Sequence, residues 1–169
     1  MRVYSVNGEI DTLLSPMDSI RYYKYFLHAG FMSMDPHSGH VKAWVGGINY
    51  KHFQYDHVKL SKRQVGSTFK PFVYTAAIEN GLDPCTYFAL SEVTYTNYDD
   101  WTPSNAGSDE EDPHINYTLE NALSNSVNTI AVKVLEEVGI PKTIKQVEKL
   151  GITHELPNKP SLALGVSEI

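Results

Sequence analysis

The sequence lacks the features that define several broad classes of protein. Cys85 is its single cysteine, so no disulfide can form within the chain and the redox compartment stays open. It has no apolar run near the ~18 residues that a membrane-spanning helix needs, and its N-terminus has no signal-peptide core. With 20 acidic and 14 basic residues, a formal net charge of −6 argues against binding to a nucleic-acid backbone. We therefore expect a soluble chain that does not bind nucleic acid.

What is present is the composition of an ordinary folded domain. The chain has 169 residues, of which 41% are hydrophobic and 20% are charged. A chain of this length buries roughly 70% of its extended surface on folding, enough for a core without disulfides or metals. These values exclude a disordered, collagen-like or coiled-coil protein.

The first half of the chain is predicted to form a hairpin with helices on either side of it. A short aromatic-rich helix is predicted over 19–28, and strands over 31–35 and 40–45 surround a tight turn. The next helix is predicted over 67–79. Pro71 complicates its start, because proline restricts the residue before it and pattern alone begins the helix at Pro71.

The second half combines a long irregular stretch with three further helices. Residues 86–116 contain an acidic run (Asp109, Glu110, Glu111 and Asp112) that we expect to be a solvated loop. The helices are predicted to be capped by Thr118, closed by Gly139 and started near Pro141. Two strands make too small a sheet to be stable alone. The predicted fold class is therefore α+β, with helices packed on an incomplete antiparallel sheet.

The sharpest chemical feature is the segment Gly66-Ser67-Thr68-Phe69-Lys70-Pro71. A serine hydroxyl is a poor nucleophile unless a base lies within hydrogen-bond reach. Residues three apart on a helix share one side, so the Lys70 amine is predicted to reach the Ser67 hydroxyl. A lysine in a partly desolvated pocket loses its proton more easily and can act as that base. The alternative is an ordinary exposed helix, on which both residue types are common.

A second candidate segment, Ser124-Asn125-Ser126-Val127-Asn128, lies between two predicted helices. Ser126 and Asn128 offer a hydroxyl that can relay a proton and an amide that can hold a peptide carbonyl. The alternative is simple helix capping, for which serine and asparagine are favoured residues.

Together the two segments resemble two of the three motifs of active-site-serine penicillin-recognising enzymes. The resemblance covers about residues 28–169, and its further segments are 34–47, 62–74, 101–105, 119–123 and 160–165. The chain is similar to the transpeptidase domain of class A, bifunctional penicillin-binding proteins. This implies a partial serine β-lactamase/penicillin-binding transpeptidase fold over 28–169, after a linker at 1–27 that leads into the domain.

The resemblance implies a role for each matching residue. The catalytic set consists of the nucleophile Ser67, its general base Lys70 and the proton shuttle Ser126. The substrate-binding set consists of Asn128, Gly66 and Trp101. No metal and no organic cofactor is implied, because the serine, the lysine and backbone oxyanion donors supply the chemistry.

The implied reaction is acyl transfer from D-Ala-D-Ala stem peptides of peptidoglycan, with β-lactams trapping the same serine. The parent protein is expected at the periplasmic or extracytoplasmic face of the bacterial inner membrane, held there by an upstream anchor. Two alternatives stay open. One is a serine β-lactamase or carboxypeptidase, and the other is a β-lactam sensor or stem-peptide-binding module without turnover.

One element of the family pattern is missing. The third motif, Lys-Thr-Gly on a strand beside the serine, does not occur, because Lys142-Thr143 is followed by Ile144. His37-Ser38-Gly39 resembles a variant of it but precedes the nucleophile in a predicted turn. We therefore expect the front part of a transpeptidase domain, inactive alone, without the upstream glycosyltransferase domain and anchor. An exposed hairpin edge makes a homodimer possible.

Overall fold

A computed structural model describes residues 1–105 and 114–169, which divide into two units, Met1–Ser61 and Lys62–Ile169. The acidic run predicted to be a surface loop (Asp109, Glu110, Glu111 and Asp112) lies outside the described residues. Within the described ranges, no helix combines the length and the apolar character that crossing a membrane requires.

The first unit contains two antiparallel hairpins. Strands β1 (Arg2–Ser5) and β2 (Gly8–Asp11) pair around a turn at Val6 and Asn7, and Gly8, which follows the turn, has a φ of +112°. Strands β3 (Phe31–Met34) and β4 (Val41–Val45) form the predicted second hairpin. The side chain of Asp35 accepts hydrogen bonds from two backbone N–H groups of the turn between β3 and β4. The predicted position of His37-Ser38-Gly39 in this turn is thereby confirmed.

The hairpin formed by β3 and β4 carries large apolar side chains that stay open to solvent. Six of them are between 44% and 59% exposed: Phe31, Met32, Met34, Val41, Trp44 and Val45. Edge strands with unpaired backbone groups and apolar side chains are surfaces on which further strands can add.

Helix α1 (Pro16–Lys24) lies between the two hairpins in sequence, and the predicted range of 19–28 is wrong at both ends. The side chain of Ser15 accepts a hydrogen bond from the Asp18 backbone N–H, and Pro16 occupies the first turn. Proline is well suited to that position because its missing N–H has no helical partner to lose. This local capping starts the helix earlier than the aromatic pattern indicated.

The second unit follows the predicted order of helices. Its described elements are a 3-10 turn (Gly66–Phe69), α2 (Lys70–Glu79), β5 (Tyr87–Ala89), a second 3-10 turn (Thr96–Tyr98), β6 (Asn116–Thr118), α3 (Leu119–Ser124), α4 (Asn128–Val138), α5 (Ile140–Lys149) and a third 3-10 turn (Pro160–Leu164). Thr118 caps α3, Gly139 ends α4 and Pro141 lies in the first turn of α5, as predicted. The irregular stretch differs from the prediction, because its ends pair as the short antiparallel strands β5 and β6.

Helices α2 and α4 form the centre of the second unit's core. Val73, Ala76 and Ala77 of α2 are fully buried, as are Ile130 and Leu135 of α4. Burying a valine, leucine or isoleucine side chain contributes roughly 1.5–3 kcal/mol. This packing joins α2 to α4, and the mixture of helices with antiparallel strands confirms the α+β class.

Candidate active site

Ser67 lies in the 3-10 turn that leads directly into α2. The helix begins at Lys70, so Pro71 falls in its first turn, where a missing N–H costs nothing. The backbone N–H of Lys70 donates to the Ser67 carbonyl, which places the two residues one turn apart. Ser67 is exposed, whereas the Lys70 side chain is 1% exposed. A hydroxyl open to substrate thus lies next to a buried amine.

Gly66 and Gly165 fix the position of this turn by direct backbone contact. The Gly66 N–H donates to the Gly165 carbonyl at 2.9 Å, and both glycines have positive φ, +57° and +63°. Residues 63–65 pair in antiparallel fashion with 167–169 just before the turn. A Cβ atom on Gly165 would lie 2.1 Å from the Gly66 carbonyl oxygen. The residue before the nucleophile therefore depends on a glycine 99 positions later in the chain.

Substituting Gly165 with alanine should destabilise the second unit more than a positive φ alone explains. Gly151→Ala is the matched control, because Gly151 also has a positive φ (+96°) but open space around its Cβ position. Alanine in the left-handed region costs roughly 1–2 kcal/mol at either site. Gly165→Ala also has to displace the Gly66 backbone, so we expect at least about 1 kcal/mol of additional loss. Denaturant unfolding measures both values, and equal losses would contradict the predicted contact.

Lys70 is held by uncharged oxygen atoms. Its Nζ donates to the Ser126 carbonyl, to Ser126 Oγ at 3.0 Å and to Asn128 Oδ1 at 2.6 Å. No carboxylate of the described ranges forms an ion pair with this amine. Burial lowers the pKa of Lys70 from its usual value near 10.5 to about 8. The neutral amine is therefore accessible near physiological pH.

Ser126 adopts a conformation that brings two of its oxygen atoms to the same lysine. Its φ is +55°, in the left-handed region that costs a non-glycine residue roughly 1–2 kcal/mol. The Ser126 N–H donates to the Leu123 carbonyl at 2.9 Å, which closes the turn between α3 and α4. From this position both the carbonyl and the hydroxyl of Ser126 contact Lys70 Nζ.

Asn128 is oriented by its neighbours. Its Oδ1 accepts from Lys70 Nζ, and its Nδ2 donates to the Ser104 carbonyl at 2.8 Å. Protonated lysine only donates and a carbonyl only accepts, so these partners determine which way the amide points. The other Nδ2 hydrogen takes no part in these two contacts.

The capping alternative for the Ser124–Asn128 segment accounts for only its first part. Ser124 Oγ and Asn125 Nδ2 donate to the Asn121 carbonyl at the end of α3. The side chains of Ser126 and Asn128 contact Lys70 instead. Helix α4 begins after Val127, which has no side-chain acceptor to offer.

The predicted site residues are thus distributed as follows. Lys70, Ser126 and Asn128 meet through direct hydrogen bonds, and Gly66 lies in the turn of Ser67. The predicted contact of the Lys70 amine with the Ser67 hydroxyl is not among the hydrogen bonds of the described ranges, because the three donor positions of Nζ are directed to Ser126 and Asn128.

Trp101 lines a separate pocket of about 480 Å³, together with Tyr98 and Lys159, and its ring lies 5.8 Å from that of Tyr95. None of Ser67, Lys70, Ser126 and Asn128 lines this pocket.

The sequence reasoning missed three residues that shape this site. Ser104 and Asn105 contact Asn128 and the start of α4, and Gly165 contacts Gly66. Residues 101–105 and 160–165 are family-like segments of the sequence, but nothing in their spacing indicates what they contact.

Comparison with known proteins assigns most of the chain to one family. Residues 29–161 match the penicillin binding protein transpeptidase domain, and residues 1–27 match the penicillin-binding protein middle domain. Penicillin-binding protein 2D of Bacillus subtilis is 36% identical over 146 residues, covering 85% of this chain and 21% of the relative. Penicillin-binding protein 1A of Vibrio cholerae is 33% identical over 148 residues, covering 84% and 17%. The chain thus spans about a fifth of the length of these curated relatives.

Solved structures agree on the fold. The crystal structure of penicillin-binding protein 1A from Haemophilus influenzae has a TM-score of 0.75 and 28% identity, over 84% of this chain and 21% of that one. A penicillin-binding protein from Mycobacterium tuberculosis has a TM-score of 0.67 over 90% of this chain and 42% of that one; at 22% identity it supports the fold alone. The chain belongs to the transpeptidase-domain family of penicillin-binding proteins, and it represents part of that domain.

Proposed function

We propose that this chain carries the acylation site of a peptidoglycan D,D-transpeptidase, with Ser67 as the nucleophile and Lys70 as its general base. The observation that carries the proposal is the buried Lys70 amine, one turn from an exposed serine and held by uncharged oxygens. Nucleophilic serines need a nearby base that is neutral at working pH, and a desolvated lysine satisfies that need.

The hydrogen bonds around Lys70 define how the amine becomes a base. Protonated Lys70 donates three hydrogen bonds, whereas neutral Lys70 has two hydrogens and one lone pair. A backbone carbonyl and Asn128 Oδ1 can only accept, so Ser126 Oγ is the partner that can reverse and donate. Ser126 and Lys70 therefore form a proton relay in which the hydroxyl follows the protonation state of the amine.

The proposed acylation proceeds by addition and elimination. Ser67 Oγ bonds to the penultimate carbonyl carbon of a D-Ala-D-Ala stem peptide. Its proton passes to neutral Lys70, whose lone pair turns from Ser126 Oγ to Ser67 Oγ for this step. The backbone N–H of Ser67 supplies one oxyanion donor, and the remaining Asn128 N–H holds a substrate carbonyl. The peptide C–N bond then breaks, and the terminal D-alanine leaves with a proton returned through Ser126. An amine of a second stem peptide takes the acyl group and frees Ser67.

The proposed partners follow from the same chemistry. Stem peptides are the donor and acceptor, and a β-lactam acylates Ser67 because its ring amide presents an equivalent carbonyl. The reaction places the complete protein at the extracytoplasmic face of the bacterial membrane, where peptidoglycan lies. We also propose a boundary near residues 27 and 28, which the ranges of the two family matches support.

The rate of acylation should rise with pH through the pKa of Lys70. The neutral amine is the active form, and with a pKa of about 8 it is a minority below that pH. Each unit of pH below about 8 should then lower the rate close to tenfold, because the neutral fraction of the amine falls by that factor. This rise is measured from the rate at which fluorescent penicillin labels the complete protein between pH 5 and 10. A flat profile over pH 6–9 would contradict Lys70 as the base.

Product analysis distinguishes the proposed function from its alternatives. The complete protein is incubated with a D-Ala-D-Ala pentapeptide and an acceptor amine, and the products are identified by mass spectrometry. Release of D-alanine with formation of a new amide to the acceptor supports the transpeptidase. Hydrolysed tetrapeptide alone indicates a carboxypeptidase, and rapid penicillin hydrolysis indicates a β-lactamase. One equivalent of stable penicillin adduct without peptide turnover indicates a sensor or binding module.

A further inference from the structure

Helix α4 begins without a capping residue of its own. Its first residues are Asn128 and Thr129, and the preceding Val127 has no side-chain oxygen to accept their N–H groups. The N–H groups of a helix's first turn have no partner within the helix. Thr129 is 2% exposed, so water is largely excluded from this end of α4.

Asn105 takes the place of the missing cap, from a position 22 residues before Val127. Its Oδ1 accepts from the Asn128 N–H at 2.7 Å and from the Thr129 N–H at 3.1 Å. Its Nδ2 donates to Thr129 Oγ1 at 3.2 Å. One amide side chain thus binds the backbone and a side chain of the first two residues of α4.

The contact continues into the candidate site through Asn128. The carbonyl of Ser104, next to Asn105, accepts from Asn128 Nδ2, and Asn128 Oδ1 accepts from Lys70 Nζ. Residues 104 and 105 therefore hold both the backbone and the side chain of Asn128. The side chain of Asn128 is thus hydrogen-bonded directly to the Lys70 amine.

Position 105 holds an uncharged asparagine, although aspartate caps helices equally well. Aspartate would also gain from its negative charge at the positive end of the helix. A carboxylate at position 105 would, however, be separated from the Lys70 amine by a single residue, Asn128. The acceptors that face the amine from the turn after α3 and from α4 are uncharged.

We propose that Asn105 is a positioning residue of the acylation site, whose uncharged amide holds the start of α4, and with it Asn128 and the Lys70 amine, without placing a negative charge beside that amine. The proposal rests on the proposed function for its effect on rate, but its effect on the amine is independent of that function. A carboxylate here would favour the protonated amine, because a negative charge that is connected to the amine through Asn128 alone stabilises its charged form.

The test compares Asn105→Asp with Asn158→Asp, an exposed substitution of the same charge in the same unit. The first readout is ¹³C NMR titration of Lys70 Cε in the 169-residue chain, assigned from the spectrum of Lys70→Ala. Asn105→Asp should raise the pKa of Lys70 by at least about 0.5, and Asn158→Asp should leave it unchanged. An unchanged pKa in Asn105→Asp would overturn the proposal, whether or not the protein is an enzyme.

The second readout is penicillin acylation of the complete protein as a function of pH. Asn105→Asp should keep a melting temperature close to wild type but shift the rising limb to higher pH, with about threefold slower acylation at pH 7. Asn105→Ala should lower the melting temperature, because it removes the cap without adding charge. A wild-type protein that is not acylated at all, with the NMR shift present, would refute the proposed function and leave the positioning role standing. Equal pH profiles for both aspartate variants in an active protein would overturn the positioning role.

Discussion

Replacing Lys70 with alanine in the complete protein is expected to slow penicillin acylation by at least about 10²-fold, the lower range for a positioned general acid–base group. Lys70 is the titratable side chain that the structure places one turn from Ser67, and burial brings its pKa to about 8. Without the amine, the Ser67 proton has no acceptor, and Ser126 loses the partner that makes its hydroxyl a relay. Stopped-flow or gel-based labelling with fluorescent penicillin measures the rate.

Lys133→Ala is the matched control for this experiment. Lys133 is partly buried, its pKa is also lowered by burial, and its Nζ donates to uncharged oxygens of Ala89 and Ser91. Its loss should therefore cost similar stability while leaving the chemistry at Ser67 intact. Near-native acylation by Lys70→Ala, or an equal loss in Lys133→Ala at equal stability, would remove Lys70 from the role of base.

The 169-residue chain alone is expected to be acylated at least about 10²–10³-fold more slowly than the complete protein. The sequence contains no Lys-Thr-Gly segment, which in this family lies on a strand beside the serine. That strand would supply a second oxyanion donor and a lysine that faces the substrate carboxylate. Removing a single oxyanion donor typically costs about 10²–10³ in rate.

The isolated 169-residue chain is also expected to dimerise, with the exposed hairpin of β3 and β4 pairing with the hairpin of a second copy. Its open edges and half-exposed apolar side chains favour strand addition. Sedimentation or size exclusion should show a concentration-dependent dimer of the isolated chain, which Trp44→Lys on β4 should weaken. A monomeric chain that penicillin acylates as fast as the complete protein would contradict both the expected slow acylation and the expected dimer.

The local elements were largely predictable because their signals are local. The cap at Thr118, the stop at Gly139 and the proline in the first turn of α5 each act within one turn of helix. The Ser67–Lys70 spacing was likewise readable, although the structure places Ser67 in a 3-10 turn rather than in α2. The predicted range of helix α1 was wrong because it followed the aromatic residues and did not take the cap at Ser15 into account.

The parts that could not be predicted depend on contacts between distant segments. The capping of α4 by Asn105 and the approach of Gly165 to Gly66 join residues 23 or more positions apart. No periodicity or spacing rule connects such positions, because the tertiary fold alone brings them together. The left-handed conformation of Ser126 could not be predicted either, because contacts with the turn and with Lys70 offset its strain and serine itself does not favour it.

The most direct test of the central claim is the location of a penicillin adduct in the complete protein. Tandem mass spectrometry of a proteolytic digest should place the penicilloyl group on Ser67, in the peptide that contains Gly66 and Lys70. The Ser67→Ala variant should carry no adduct, and Ser61→Ala, which changes a serine ahead of the nucleophile turn, should be labelled normally. An adduct on any other residue, or full labelling of Ser67→Ala, would contradict the assignment of Ser67 as the nucleophile.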